Sequence, residues 1–181
     1  MEIAVSRSKI SGQVEIPGSK SHTIRAIVLA SLAKGTSTIK APLVSEDTVS
    51  CLQAASTLGA WIKRGDDTIW RISGTGGKLL QPAGVIDMGN SGTGLRLFTS
   101  IAARADFPIS FDGDESLRTR TMASLLAALQ AMGAKVESAN GKCPLSVTGP
   151  INGAEVTIEG KTSQYLSSLL FAAPLLENDT V

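Results

Sequence analysis

Apolar residues recur at helical spacing in five runs, at residues 24–32, at Val49, Leu52 and Leu58, at Phe98, Ile101 and Ala102, at Met122, Leu125, Leu126, Leu129 and Met132, and at residues 165–173. The first run predicts a helix from about residue 21 to residue 33, with Gly35 as its stop signal. Ser45-Glu46-Asp47 reads as an N-cap with acid in the first turn of the second helix, which Gly59 ends; Gly133 ends the fourth. Between the helices, residues 36–40 and 109–111 read as strands. Residues 60–63 and 68–72 flank Arg64-Gly65-Asp66-Asp67, and residues 134–137 and 145–148 flank Asn140-Gly141, which predicts two hairpins. Trp61 and Trp70 fall on the strands of the first hairpin and are expected as core or cross-strand aromatics rather than a ligand platform. Residues 2–16 alternate loosely around Ser11-Gly12 and predict a short hairpin or two edge strands.

The pattern repeats. Strand, helix, strand, helix and hairpin follow one another twice. Gly18 and Gly89 are 71 residues apart, as are Arg25 and Arg96, while Leu58-Gly59-Ala60 and Met132-Gly133-Ala134 are 74 apart. A further 71 residues from Gly89 lies Gly160, just before the fifth apolar run. Self-similarity at a fixed period signals stacked structural units. The expected fold is therefore α/β (α+β), with repeated βαβαββ units in a rough three-fold arrangement. Unit one covers about residues 17–75, unit two about 85–150, and unit three starts at about 154 and lacks its second helix and hairpin. The chain is thus expected to be part of a longer protein.

Composition narrows the function. Hydrophobic residues make up 43% and charged residues 18%, as in an ordered globular protein, and the net charge is +1 from 17 basic and 16 acidic residues. No basic face for nucleic acid is implied, so any anion site must be local. Two cysteines, Cys51 and Cys143, form no metal-binding spacing or disulfide framework, so no metal is expected and a reducing cytoplasm is the default. Neither a signal peptide nor a transmembrane helix is expected.

The chemistry gathers where three of the helices begin. Pro17-Gly18-Ser19-Lys20-Ser21-His22-Thr23-Ile24-Arg25 opens the first, Gly89-Asn90-Ser91-Gly92-Thr93-Gly94-Leu95-Arg96 the third, and Gly160-Lys161-Thr162-Ser163-Gln164 the fifth. The first N–H groups of a helix have no intrahelical partner and its dipole is positive there. Three such starts on one face would make an anion-binding floor from backbone N–H groups. Lys20 and Arg25 suit phosphate or carboxylate, the Thr162-Ser163 hydroxyls suit phosphate oxygens, and Gly92 would let a ligand approach the backbone. For Arg96 a structural role and ligand contact both stay open. Arg118 and Arg120 are expected in a loop after Asp114, either solvated or as a carboxylate clamp. The single histidine, His22, is expected to do no chemistry, and no nucleophile with a neighbouring base is apparent.

Together Pro17-Gly18-Ser19-Lys20-Ser21 with Arg25, Gly89-Asn90-Ser91-Gly92-Thr93 with Arg96, Arg118-Thr119-Arg120 and Thr162-Ser163-Gln164 resemble the N-terminal part of the enolpyruvyl transferase family. The branch resembled moves the enolpyruvyl group of phosphoenolpyruvate to the 5-hydroxyl of shikimate 3-phosphate, on the shikimate pathway to chorismate and the aromatic amino acids, and is the target of glyphosate. The resemblance implies one domain of a two-domain, inside-out α/β barrel, with residues 1–16 as strands of the other domain and 17–181 as an incomplete substrate-binding domain. It implies no metal and no organic cofactor. It assigns Lys20 a catalytic place touching both substrates, Ser21, Arg25, Thr162, Ser163 and Gln164 to shikimate 3-phosphate, and Gly92, Arg120 and Gln164 to phosphoenolpyruvate, with Asn90, Thr93 and Arg96 supporting.

Two departures qualify it. Thr162 stands where the family usually has Ser, and the carboxylates, lysines and arginines of the other domain are not in these 181 residues, so little or no turnover is expected from the chain alone. The sister transferase acting on UDP-N-acetylglucosamine typically has Asn where Ser21 stands and a reactive Cys in the loop around Glu115 to Arg120. RNA 3′-phosphate cyclase shares the repeated unit, but no nucleotide-binding signature is present. A non-catalytic anion-binding module is the alternative from another class.

Overall fold

The computed structural model describes residues 3–66 and 68–181. The first helix, α1 (Lys20–Leu32), is capped by Ser19, whose side chain accepts from His22 N at 3.4 Å, and it buries Ile24, Ile27, Val28 and Leu32 along one stripe. β1 (Thr36–Lys40) leads to α2 (Glu46–Thr57), which starts in a reciprocal Ser45/Thr48 capping box with Glu46 and Asp47 in its first turn. β2 (Trp61–Asp66) and β3 (Ile69–Ser73) complete an antiparallel sheet of order β1-β3-β2, with a register shift between Arg64 and Asp66. Part of that hairpin's expected turn, Asp67, lies outside the described residues.

The second unit has one strand more. β4 (Ile86–Asp87) pairs parallel with β5 (Ile109–Asp112), and β6 (Lys135–Ser138) and β7 (Leu145–Thr148) close a sheet of order β4-β5-β7-β6. Its helices are α3 (Gly92–Ala102), the short α4 (Glu115–Thr119) and α5 (Ala123–Ala131). Gly59 and Gly133, at matching places after α2 and α5, have φ of +110° and +106°, the left-handed turn that ends both helices. α6 (Ser163–Ala172) follows, then a 3-10 turn at Ala173–Leu175.

Four expectations are corrected. Residues 3–16 form no strand and are exposed, and no described strand lies beside β1 on the side away from β3. Their alternating pattern expresses a propensity, and propensity without a packed partner does not make a strand. Residues 151–162 contain no strand either; scattered hydrogen bonds tie that segment down, from Ile151 N to Ala103 O, Asn152 N to Met132 O and Glu159 N to Ser124 Oγ, and between Ala154, Val156 and Val181. The expected loop after Asp114 is the helix α4, with Asp114 as its cap. Trp61 and Trp70 do not pair: Trp70 is buried beneath Arg64, whose guanidinium lies 5.5 Å from the ring centroid, while Trp61 is 60% exposed. Their cross-strand partners, Arg64 for Trp70 and Ser73 for Trp61, stand on opposite faces of the sheet.

α1, α2 and α6 pack around α3. Leu95, Leu97, Phe98, Thr99, Ser100, Ile101 and Ala102 are all buried, and a helix apolar all round belongs in a core. It runs parallel to α6: Arg96 meets Gln164 near the helix starts, and four residues further along both, Ser100 meets Ser168 at 2.5 Å. α1 joins at the same height, where Arg25 Nη2 donates to Ser167 Oγ at 3.2 Å. The three helices therefore begin at one end of the molecule.

At Gly94 an added Cβ would stand 2.3 Å from Cys51 Sγ and 2.7 Å from Ser91 Oγ. Helix propensity alone favours alanine by about 1 kcal/mol, whereas overpacking a tight core costs about 1–3 kcal/mol. Gly94→Ala is expected to lower the unfolding free energy, read from urea titration of both proteins; an unchanged or raised midpoint would show that α2 yields at Cys51.

Candidate functional site

Each helix start presents donors. Ser19, Ser91 and Thr162 cap α1, α3 and α6 with their hydroxyl oxygens, and the N–H groups of Ser21, Thr93 and Ser163 have no protein acceptor among the described residues. The Ser21 and Ser163 side chains are exposed, and Thr93 is half-buried in the first turn of α3. His22 is exposed beside them.

The charged side chains around this face are held by partners that the sequence pattern did not reveal. Lys20 Nζ lies 2.6 Å from Asp47 Oδ2, so the acid in the first turn of α2 serves the lysine of α1 as well as its own helix dipole. Arg25 donates to Ser21 O and Ser167 Oγ, both at 3.2 Å. Arg96 donates from Nη1 to Gly92 O at 3.1 Å and to Gln164 Oε1 at 2.7 Å, joining the start of α3 to that of α6.

Arg120, directly after α4, reaches back to the start of α3. Its Nη2 donates to Asn90 Oδ1 and, at 3.2 Å, to Ser116 Oγ, and its Nη1 to Asn90 O at 3.4 Å. Asn90 in turn donates from Nδ2 to Asp114 Oδ2 at 2.7 Å. The Leu117 N–H, then Asn90, hold the Asp114 carboxyl below the usual carboxylate range. Gly92 lies under this arrangement: a Cβ there would stand 2.9 Å from Arg120 Nη1 and 3.0 Å from Arg96 Nη1.

Arg118 does not join the site. Its Nε and Nη2 bind Asp112 Oδ1 and Oδ2 at 2.9 and 2.6 Å, a bidentate pair that holds the Asp112 carboxyl below its ordinary range. Of the two arginines expected near Asp114, only Arg120 faces the helix starts. Lys161 is likewise occupied, by Glu159. Lys20, Arg25, Arg96 and Arg120 thus converge with Gly92 and Gln164 on one open face, whose charge is offset locally by Asp47 and Asp114. The arrangement can bind and orient an anion through fixed donors; within it the carboxylates of Asp47 and Asp114 are both engaged. Among the described residues, no group of His, Cys, Asp and Glu could hold a metal ion.

The family model described as EPSP synthase (3-phosphoshikimate 1-carboxyvinyltransferase) matches residues 5–181. The chain belongs to the EPSP synthase family. It is 49% identical to the 3-phosphoshikimate 1-carboxyvinyltransferase of Methanocorpusculum labreanum over 99% of the chain and 43% of that protein, and 45% identical to that of Acetivibrio thermocellus with the same coverage. Its fold matches a solved EPSP synthase of Acinetobacter baumannii with a TM-score of 0.87 and 32% identity, covering 93% of this chain and 39% of that one. The chain thus spans less than half the length of these relatives, and its mixed α/β architecture corresponds to that share of the EPSP synthase fold. No helix among the described residues is long and apolar enough to cross a membrane.

The Asp112–Arg118 pair sets a pH dependence. Because the folded carboxyl titrates below its unfolded value of about 3.9, the pair stabilises the fold above that pH, and the contribution is lost as pH falls through the folded value. Asp112→Asn should be less stable than wild type at pH 7, with the gap closing towards pH 2 in urea titrations. A gap independent of pH would show that the carboxylate's charge is not what stabilises.

Proposed function

We propose that this chain carries the N-terminal half of the substrate site of a 3-phosphoshikimate 1-carboxyvinyltransferase. In that reaction the 5-hydroxyl oxygen of shikimate 3-phosphate bonds to the enolpyruvyl carbon of phosphoenolpyruvate, the bond from that carbon to the phosphate oxygen breaks, and phosphate leaves. The observation that carries the proposal is the parallel start of α1, α3 and α6, which gathers Lys20, Arg25, Arg96, Arg120 and Gln164 on one face. Membership of the family supports it.

In this reading Ser21, Arg25, Thr162, Ser163 and Gln164 hold shikimate 3-phosphate. The Arg25 guanidinium reaches α6 through Ser167 and so stands between two helix starts, where a phosphate or carboxylate meets donors from both. Gly92, Arg120 and Gln164 take phosphoenolpyruvate, with Asn90 and Thr93 supporting and Asn90 aiming Arg120. Lys20 touches both substrates and shares its charge with Asp47. A second domain, as in the longer relatives, supplies the remaining carboxylates and cations, takes up residues 1–16 and closes over the substrates. The free, buried thiols of Cys51 and Cys143, raised by burial to about 12 and about 11, suit a reducing cytoplasm.

Calorimetric titration of the chain with shikimate 3-phosphate tests the site. Saturable binding is expected, reduced about tenfold or more in Lys20→Ala, since a charge-assisted contact is worth about 1.5–3 kcal/mol, with no loss of thermal stability beyond that of the exposed Lys20–Asp47 pair. Gly92→Ala, whose Cβ would press on the guanidinium ends of Arg96 and Arg120 rather than on backbone, should still fold and should weaken phosphoenolpyruvate binding in the two-domain enzyme. Equal affinity of Lys20→Ala and wild type would remove Lys20 from the site.

A further inference from the structure

Gln164 carries an amide whose two ends have opposite hydrogen-bonding sense, Oε1 accepting and Nε2 donating. Which end meets a ligand depends on what holds the other. Arg96 Nη1 stands 2.7 Å from Gln164 Oε1. A guanidinium has donors only, so the oxygen, and not the amide nitrogen, must occupy that position.

Arg96 is itself fixed from three sides. Nη1 also donates to Gly92 O at 3.1 Å, and the guanidinium carbon lies 5.6 Å from the centroid of the Tyr165 ring. Tyr165 is anchored in turn, its hydroxyl donating to Thr121 O at 2.9 Å. Nε is buried without an acceptor, so this guanidinium is enclosed by its neighbours rather than loose in solvent. Gln164 Nε2 has no acceptor among the described residues. It therefore has two N–H groups to offer at the second residue of α6, beside the free N–H of Ser163 and the positive end of the helix.

We propose that Arg96 is a positioning residue that makes Gln164 an obligate donor, so that this point of the site takes an acceptor oxygen of the ligand and gives no place to a group that must donate. The inference rests on the reading of the three helix starts as the substrate floor, and it assigns Arg96 a role through Gln164 rather than direct contact with substrate. Lysine at position 96 would keep the positive charge, but its side chain is one bond shorter than the reach to Arg96 Nη1, and its ammonium lacks the planar guanidinium that lies over the Tyr165 ring.

The test is nitrogen-15 NMR of the 181-residue chain, with the Gln164 side-chain NH2 signals assigned by their loss in Gln164→Glu. Without ligand, those signals should show an order parameter near that of rigid backbone, about 0.85, in wild type, and a clear fall in Arg96→Met. Arg96→Lys serves as the second variant if Arg96→Met does not fold, and it should show the same fall. With shikimate 3-phosphate, Gln164→Glu should bind about tenfold or more weakly while its thermal midpoint stays at or above wild type. The new carboxylate still accepts from Arg96 but cannot donate; because it also adds negative charge beside an anion, the neutral Gln164→Met, which cannot donate either, should weaken binding as well, and wild-type affinity in that variant likewise overturns the proposal. An amide equally rigid in wild type and the Arg96 variants, or wild-type affinity in Gln164→Glu, overturns the proposal. Absence of binding by the wild-type chain would overturn the substrate reading instead, and the ligand-free measurement, which needs no substrate, tells the two failures apart.

Discussion

The parallel, close approach of α3 and α6 is the constraint on which the site depends. It is made by small side chains: Ser100 and Ser168 are fully buried, bond each other at 2.5 Å, and Ser168 also reaches the Arg96 carbonyl. Buried hydroxyls are tolerated only when hydrogen-bonded, so this pair fixes the height of one helix against the other as well as their separation. A larger apolar residue at either position would force the helices apart and move Arg96 away from Gln164. With α1 tied in by Arg25 and Ser167, three helix starts end at one level. Their dipoles repel when aligned side by side. An anion above them would relieve that repulsion, and Asp47 and Asp114 supply part of the compensation.

The polar network above this floor works by fixing orientation. Asp114 holds the nitrogen of the Asn90 side chain, which leaves its oxygen for Arg120; Arg96 holds the oxygen of the Gln164 side chain, which leaves its nitrogen for a ligand. Gly92 leaves the space in which both guanidinium groups lie. A cleft lined by Arg104 and Pro150 lies past the end of α3.

Much of this was legible in the chain. β1, α2 and β7 are found where the pattern placed them, and the 71-residue spacing correctly matched the starts of α1 and α3 and pointed to that of α6. Both signals are local: periodic apolar residues and the turn chemistry at helix ends. What escaped was either too short or not local. α4 has five residues and one buried apolar side chain, Leu117, too few for a period to show. Asp47 was visible as a helix-start acid, but its pairing with Lys20 depends on how α2 packs on α1. Arg118 and Arg120 look alike in sequence; the proximity of Asp112 on β5 takes one of them out of the site. Trp61 and Trp70 were separated by strand register, which the hairpin residues alone did not settle.

The central claim is that an anion is held by the starts of α1, α3 and α6 together. Its most direct test is backbone chemical-shift mapping of the chain during titration with shikimate 3-phosphate, with UDP-N-acetylglucosamine as control. Saturable shifts of the Ser21, Thr93 and Ser163 amides are expected, all with one dissociation constant and absent with the control. Shifts confined to a single helix start, or centred on the cleft near Arg104 and Pro150, would contradict it.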